Sequence, residues 1–269
     1  MAVRVEKSDH VTTVIHSRAE ARNAMDPASA DALVEAFLAF DADDDAYVAV
    51  LWGEGGAFCA GWDLKFVSSV SPDGLQRELA FPDRDPADVN AVPRGPLGPT
   101  RLELTKPVIA AVAGPAVAGG MELAIWCDLR VMEESAFIGV YCRRWGIPLI
   151  DGGTVRLPRL VGQGRALEII MTGRKVEAEE CLRIGACERV VPDGTSRAAA
   201  EAMAHEIARF PQVCVRADRR SAIRQHGRTV REAMKYEWLS GQEPMQEEAV
   251  GGASRFAGGL GRHGDYARI

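Results

Sequence analysis

The sequence predicts an α/β fold on three observations. Apolar, strand-like runs alternate with helical segments over the first two thirds, the pattern of a sheet whose strands are joined through helices. Two of those runs lead into turns of glycine and alanine rather than into polar loops. Past residue 195 the strand signals stop and amphipathic helices follow one another, so a core over 1–195 and a helical region over 196–269 are expected.

The chain opens with Val3, Val5, Val11, Val14 and Ile15 around a polar centre, the signature of a hairpin. Pro27 behind Asp26 starts a helix that runs to about Phe40, with Asp26 as its cap. Residues 46–55 (AYVAVLWGEG) read as a buried strand ending in glycines, and 57–64 (AFCAGWDL) as a loop entering a helical turn. From Ser68 to Thr100 the chain is rich in Pro, Asp and Gly with little periodicity. An excursion or mobile segment beside a site is expected there, rather than core. A second buried strand follows at 107–114 (PVIAAVAG), then a buried helix at 119–127 (GGMELAIWC) and more strand at 129–140 (LRVMEESAFIGV). Residues 147–173 read as loops and short helices, and 188–192 (ERVVP) as the last strand.

A formal net charge of −6 without long Lys/Arg runs argues against nucleic acid or an anionic membrane surface as partner. The longest apolar stretch is broken by Gly114, Pro115, Gly119, Gly120 and Glu122, so no membrane span is expected, and no leader is read at the amino terminus; the expectation is a cytoplasmic protein. The six cysteines form no C-x-x-C pair and read mostly as reduced core residues. The five histidines are dispersed, which makes metal ligation unexpected. Trp126, Trp145 and Trp238 read as packing residues, while Trp62 and Phe66 are candidates for shaping a pocket.

Between Lys106 and Asp128 the chain is apolar or small with one exception, Glu122. An ionised carboxylate buried without a partner costs on the order of several kcal/mol, so Glu122 either is paired or works. Ala118, Gly119 and Gly120 have almost no side chain, and they stand where a strand gives way to a helix whose first N–H groups lack intrahelical acceptors. Glu122 follows Gly119 by about one helical turn, which puts an acid or base beside a backbone anion pocket. That pairing suits enolate chemistry on a thioester; the alternative is a carboxylate that only complements a helix dipole. Ala60 and Gly61 make a second turn of the same kind, and the N–H of Trp62 would supply a second donor.

With both stretches in view, the chain resembles the crotonase superfamily, the enoyl-CoA hydratases and isomerases. The resemblance runs through ARNAMDPASADAL, GAFCAGWDLK, KPVIAAVAGPAVAGGMELAIWCDLRV and PLIDGGTVRLPRLVGQGRALEIIMTG, in order, and into the helical tail. It implies a spiral of ββα turns followed by a helical region for oligomerisation, as a homotrimer or homohexamer. It implies an acyl-CoA thioester as substrate, with no cofactor beyond the coenzyme A that the substrate carries. The Trp62 and Gly119 N–H groups would form the oxyanion hole, and Glu122 would be the general acid/base. Arg22, Ala24, Ala60, Asp63, Leu64 and Gly119 would contact CoA and substrate.

Hydratases of the family commonly use a second glutamate about twenty residues after the first, and here that position is Cys142. A neutral thiol is no ready replacement for a carboxyl group. Three explanations stay open: Glu122 makes both proton transfers, Asp151 supplies the missing carboxylate, or the reaction is a double-bond shift or another one-carboxylate chemistry. An acyl-CoA-binding relative with little hydratase activity is a further reading. Arg143 and Arg144 either face the pocket and hold an anion or pair with Asp151 or Glu134 at the surface.

Overall fold

The structure, a computed structural model, describes residues 2–84 and 86–264. Strands β1 (Val3–Ser8) and β2 (Val11–His16) form the expected hairpin, with Ser8 opposite Val11. Strands β3 (Val48–Gly53), β4 (Val108–Val112), β6 (Leu129–Glu133) and β9 (Arg189–Val191) extend it in parallel to a sheet of order β1-β2-β3-β4-β6-β9. A second, smaller sheet runs β5 (Pro115–Val117), β7 (Phe137–Gly139), β8 (Lys175–Glu177). The run 129–140 is therefore not continuous strand: a turn closed by Ala136 N–H to the Glu133 carbonyl at 2.9 Å sends its halves into different sheets.

The central strands are apolar on both faces because both faces are covered. Ala49, Leu51, Ala110 and Val112 pack with Leu33, Phe37 and Phe40 of α1 (Pro27–Ala42) and with Met121 and Leu123 of α4 (Gly119–Trp126). Their alternates Val48, Val50, Ile109 and Ala111 pack with Ala200, Met203 and Ala204 of α8 (Ser196–Ala208). The pattern change at 195 thus marks a change of element type, and the first helix beyond it closes the second core layer. Asp26 caps α1 as expected, accepting the Ser29 N–H at 2.8 Å.

Segment 68–100 departs from the expectation of a loose excursion. It holds α3 (Pro72–Leu79), capped by Ser71, and its end is core: Leu97, Pro99 and Thr100 are buried. Short helices α2 (Leu64–Val67), α5 (Gly153–Val161), α6 (Gln163–Thr172) and α7 (Ala178–Ile184) link the strands. The remaining helices are α9 (Gln212–Arg224), α10 (Val230–Pro244) and α11 (Val250–Ala257). Trp126 packs edge-on against Phe37, as expected, but Trp145 and Trp238 do not pack: each is 63% exposed, Trp238 on a face of α10 shared with Met234. Among the described residues no helix is long and apolar enough to cross a membrane.

Candidate active site

The site forms where the two glycine-alanine turns meet. Ala118 takes φ 55° and ψ −125°, a conformation costly for a residue with a Cβ, and its N–H is held by the Gly139 carbonyl at 2.7 Å. Strain of this kind turns the chain sharply from β5 into α4. The start of α4 then presses on the other turn: a Cβ on Gly120 would lie 2.0 Å from the Cys59 carbonyl oxygen, and one on Gly119 would lie 2.2 Å from a Leu97 methyl. At Gly120 the obstacle is backbone and only glycine fits; at Gly119 a larger residue would have to displace the Leu97 side chain.

The turn at 59–62 is fixed by strand-like bonds. Met25 N–H donates to the Gly61 carbonyl and Asp63 N–H to the Met25 carbonyl, each at 2.8 Å. Trp62, standing between them, therefore directs its own N–H away from Met25, toward the side on which Ala118 and Gly119 lie. Gly61, at φ 94°, brings the turns close: a Cβ there would stand 3.2 Å from the Gly119 nitrogen. Among the described residues neither the Trp62 N–H nor the Gly119 N–H has an acceptor. Both residues line one cavity of about 220 Å³.

Glu122 lines the same cavity and is 2% exposed. It forms no ion pair among the described residues. Instead its Oε1 accepts the Asp151 N–H at 2.9 Å and the Gly153 N–H at 2.8 Å, at the start of α5. Among the described residues Oε2 has no hydrogen-bond partner and is not one of the polar atoms sealed from the surface, so it opens to the cavity. Burial, and then the charge of Asp151, push the Glu122 carboxyl up to about 8, against the pull of the two amides and Arg156. That shift favours the protonated form of Glu122 near neutral pH.

Asp151 is buried beside it and lines the cavity. Its Oδ1 accepts the Leu97 N–H at 3.2 Å and the Thr100 hydroxyl, while Oδ2 has no partner among the described residues and is likewise open. Burial raises its carboxyl too, opposed by the Thr100 and Leu97 bonds. Arg156 ties the floor together, donating to the Asp151 carbonyl at 3.0 Å and the Thr100 carbonyl at 2.9 Å. Leu97, Thr100 and Arg156 carry no signal in the sequence, because their roles depend on backbone brought from 50 residues away.

The other anticipated residues sort by position. Ala60, Leu64 and the exposed Arg22 line the cavity, but Ala24 and Asp63 do not. Asp63 is occupied elsewhere, capping α2 through the Lys65 N–H at 3.0 Å and meeting Arg18 at 3.2 Å. Phe66 is also absent from the lining. Cys142 is buried at the cavity wall, its thiol pushed up by burial and by the charge of Glu122, so it is held protonated and is a poor nucleophile. Neither Arg143 nor Arg144 meets Asp151 or Glu134. Arg143 donates to the Ile170 carbonyl at 3.2 Å, and Arg144 joins Tyr141 and Trp145 in the cavity lining.

Residues 6–257 match the family described as Enoyl-CoA hydratase/isomerase. The chain belongs to that family. Its similarity to an enoyl-CoA hydratase of Mycobacterium tuberculosis is 33% identity, over 94% of this chain and 92% of the relative. A (E)-benzylidenesuccinyl-CoA hydratase of Thauera aromatica is 34% identical over 83% of this chain and 82% of its own. Among crystal structures, an enoyl-CoA hydratase of Mycobacterium tuberculosis superposes with a TM-score of 0.83 at 31% identity, covering 96% of both chains. One from Bacillus anthracis gives 0.85 at 28% identity over the same share of each. This family member has the crotonase fold, and its helical carboxyl-terminal region is part of the likeness.

Proposed function

We propose that the protein hydrates 2-enoyl-CoA thioesters, with the Trp62 and Gly119 amides binding the thioester oxygen and Glu122 and Asp151 moving the protons. The observation that supports this most is the convergence of two amides without acceptors and a buried carboxyl without an ion-pair partner on one cavity, among the described residues. Donors fixed in advance where charge develops stabilise the transition state without reorganising; one such donor is worth about 10²–10³ in rate.

Two carboxyl groups, rather than one, fit the chemistry. Oε1 of Glu122 is taken by two N–H donors, which leaves Oε2 to carry a single proton. Neighbouring buried carboxyls do not ionise together, and burial raises both, so the pair holds one proton near neutrality; this reading puts it on Glu122. In this reading the oxygen of water bonds to the β carbon while its proton passes to Asp151. Glu122 gives its proton to the α carbon, and the negative charge that builds on the thioester oxygen is met by the Trp62 and Gly119 amides. Proton return from Asp151 to Glu122 resets the pair. Cys142 then needs no proton-transfer role. Coenzyme A enters as part of the substrate, past Arg22 at the rim, and no other cofactor is required.

The test is a turnover assay on short, long, branched and aromatic 2-enoyl-CoA thioesters, with product identified. Glu122→Gln is expected to keep acyl-CoA affinity and lose about 10²–10⁴ in kcat, the span of general acid–base catalysis. Undiminished turnover, or migration of the double bond without uptake of water in the parent protein, contradicts the reading. Exposed Met234, Trp238, Val250 and Phe256 on α10 and α11 support assembly as a trimer or hexamer.

A further inference from the structure

We infer that Arg144 forms an anion subsite at the rim of the cavity, so that the favoured acyl group carries a carboxylate of its own; the inference rests on the hydratase reading above. Arg144 belongs to the short helix Tyr141–Trp145, the element that also sets Cys142 at the wall beside Glu122. It therefore reaches the cavity from the side of the reacting carboxyls, whereas Arg22 reaches it beside Ala60 and Leu64 on the opposite turn. Its guanidinium lies over the Tyr141 ring at 4.8 Å and near the Trp145 ring at 5.8 Å, and its Nε is turned to the Tyr141 carbonyl at 3.4 Å.

These contacts occupy the faces and one edge of the guanidinium. They leave both terminal nitrogens, the fork that grips a carboxylate in two parallel bonds, without a partner among the described residues. Among the described residues no carboxylate is paired with Arg144, although the chain holds 38 acidic against 32 basic residues. The rim side chains Ile147, Pro148 and Ile150 are apolar and bring no competing charge to the cavity mouth. The Glu122–Asp151 pair carries negative charge on the floor. A second anion entering the cavity is repelled by it unless a cation stands close to where that anion comes to rest, and Arg144 is placed to be that cation.

The experiment compares an enoyl-CoA ending in a carboxylate with its methyl ester, in the parent protein, Arg144→Ala and Arg144→Lys. Equilibrium binding of the saturated counterparts, which cannot be hydrated, is measured alongside, so that the subsite is read apart from turnover. The parent is expected to favour the acid over the ester by about tenfold or more in Kd and in kcat/KM, as for a charge-assisted bidentate contact. Arg144→Ala should bring that ratio close to one, and Arg144→Lys should restore part of it. Equal affinity of the parent for acid and ester overturns the inference. So does an Arg144→Ala loss that is the same for both ligands and vanishes with pantetheine thioesters, which would assign Arg144 to a phosphate of coenzyme A. Acid selectivity in binding without hydration of any thioester upholds the subsite and contradicts the hydratase reading instead.

Discussion

At the floor of the cavity the groups that hold Glu122 are held in turn, whereas at the rim Arg22, Arg144 and Trp145 stand exposed, Arg144 tied only within its own short helix. The floor joins three separate stretches of chain: Glu122 on α4, Leu97 and Thr100 at the end of the long connection, and the head of α5 with Asp151, Gly153 and, one turn in, Arg156. A Cβ on Gly153 would stand 2.9 Å from Oε1 of Glu122, so the geometry leaves no slack. The rim is made from side chains of the short helix after β7 and the loops around it, with Trp145 63% exposed. Polar groups that convert substrate must be preorganised, while groups that choose among acyl chains need only be reachable. Chemistry is therefore expected to reside in the floor and selectivity in the rim.

Substitutions can break that division. The largest effect after Glu122→Gln is expected for Asp151→Asn: a loss of about 10²–10⁴ in kcat with smaller change in KM, because one of two proton carriers is gone. Steady-state kinetics read it, and a variant with full kcat returns both proton transfers to Glu122. Arg156→Met is expected to cost about tenfold in kcat and to move the alkaline limb of the pH profile upward, since a nearby positive charge now holds the Glu122 carboxyl down. Arg156→Lys, which keeps the charge, should leave the limb near its parent position. A limb unmoved by Arg156→Met would make the arginine structural only. Smallest is Trp145→Ala, expected to raise KM by a few-fold with less change in kcat, in the manner of a contact made equally in ground and transition states. A kcat effect exceeding that of Arg156→Met would erase the contrast between floor and rim.

The sequence carried the catalytic half of this picture further than the binding half. Glu122, Gly119 and Trp62 stood out because a lone carboxylate and bare glycine turns have no packing purpose in an apolar run. Asp151 reads in the sequence as a candidate substitute acid, and the structure lays it beside Glu122 at the cavity, where the proposal takes it up. Leu97 and Thr100 were hidden in a segment without periodicity, where burial comes from tertiary contact alone. Strand β8 was missed because only Val176 of its three residues is buried, between charged neighbours. Ala24 and Asp63 came in on resemblance and lie off the cavity lining, where Asp63 serves as a helix cap. Trp145 and Trp238 read as core by composition, but among the described residues nothing covers them.

The pH dependence of kcat/KM for hydration of a 2-enoyl-CoA tests the central claim most directly, because it reports the protonation of the free enzyme. Glu122 is raised from 4.5 to about 8 and is assigned to give a proton, so it is competent below that value and incompetent above it. The account predicts activity that falls as pH rises through about 8, with the fall absent from the residual activity of Glu122→Gln. Activity that climbs through the same range would mean that Glu122 must ionise to work, and the assignment of acid and base between Glu122 and Asp151 would be contradicted.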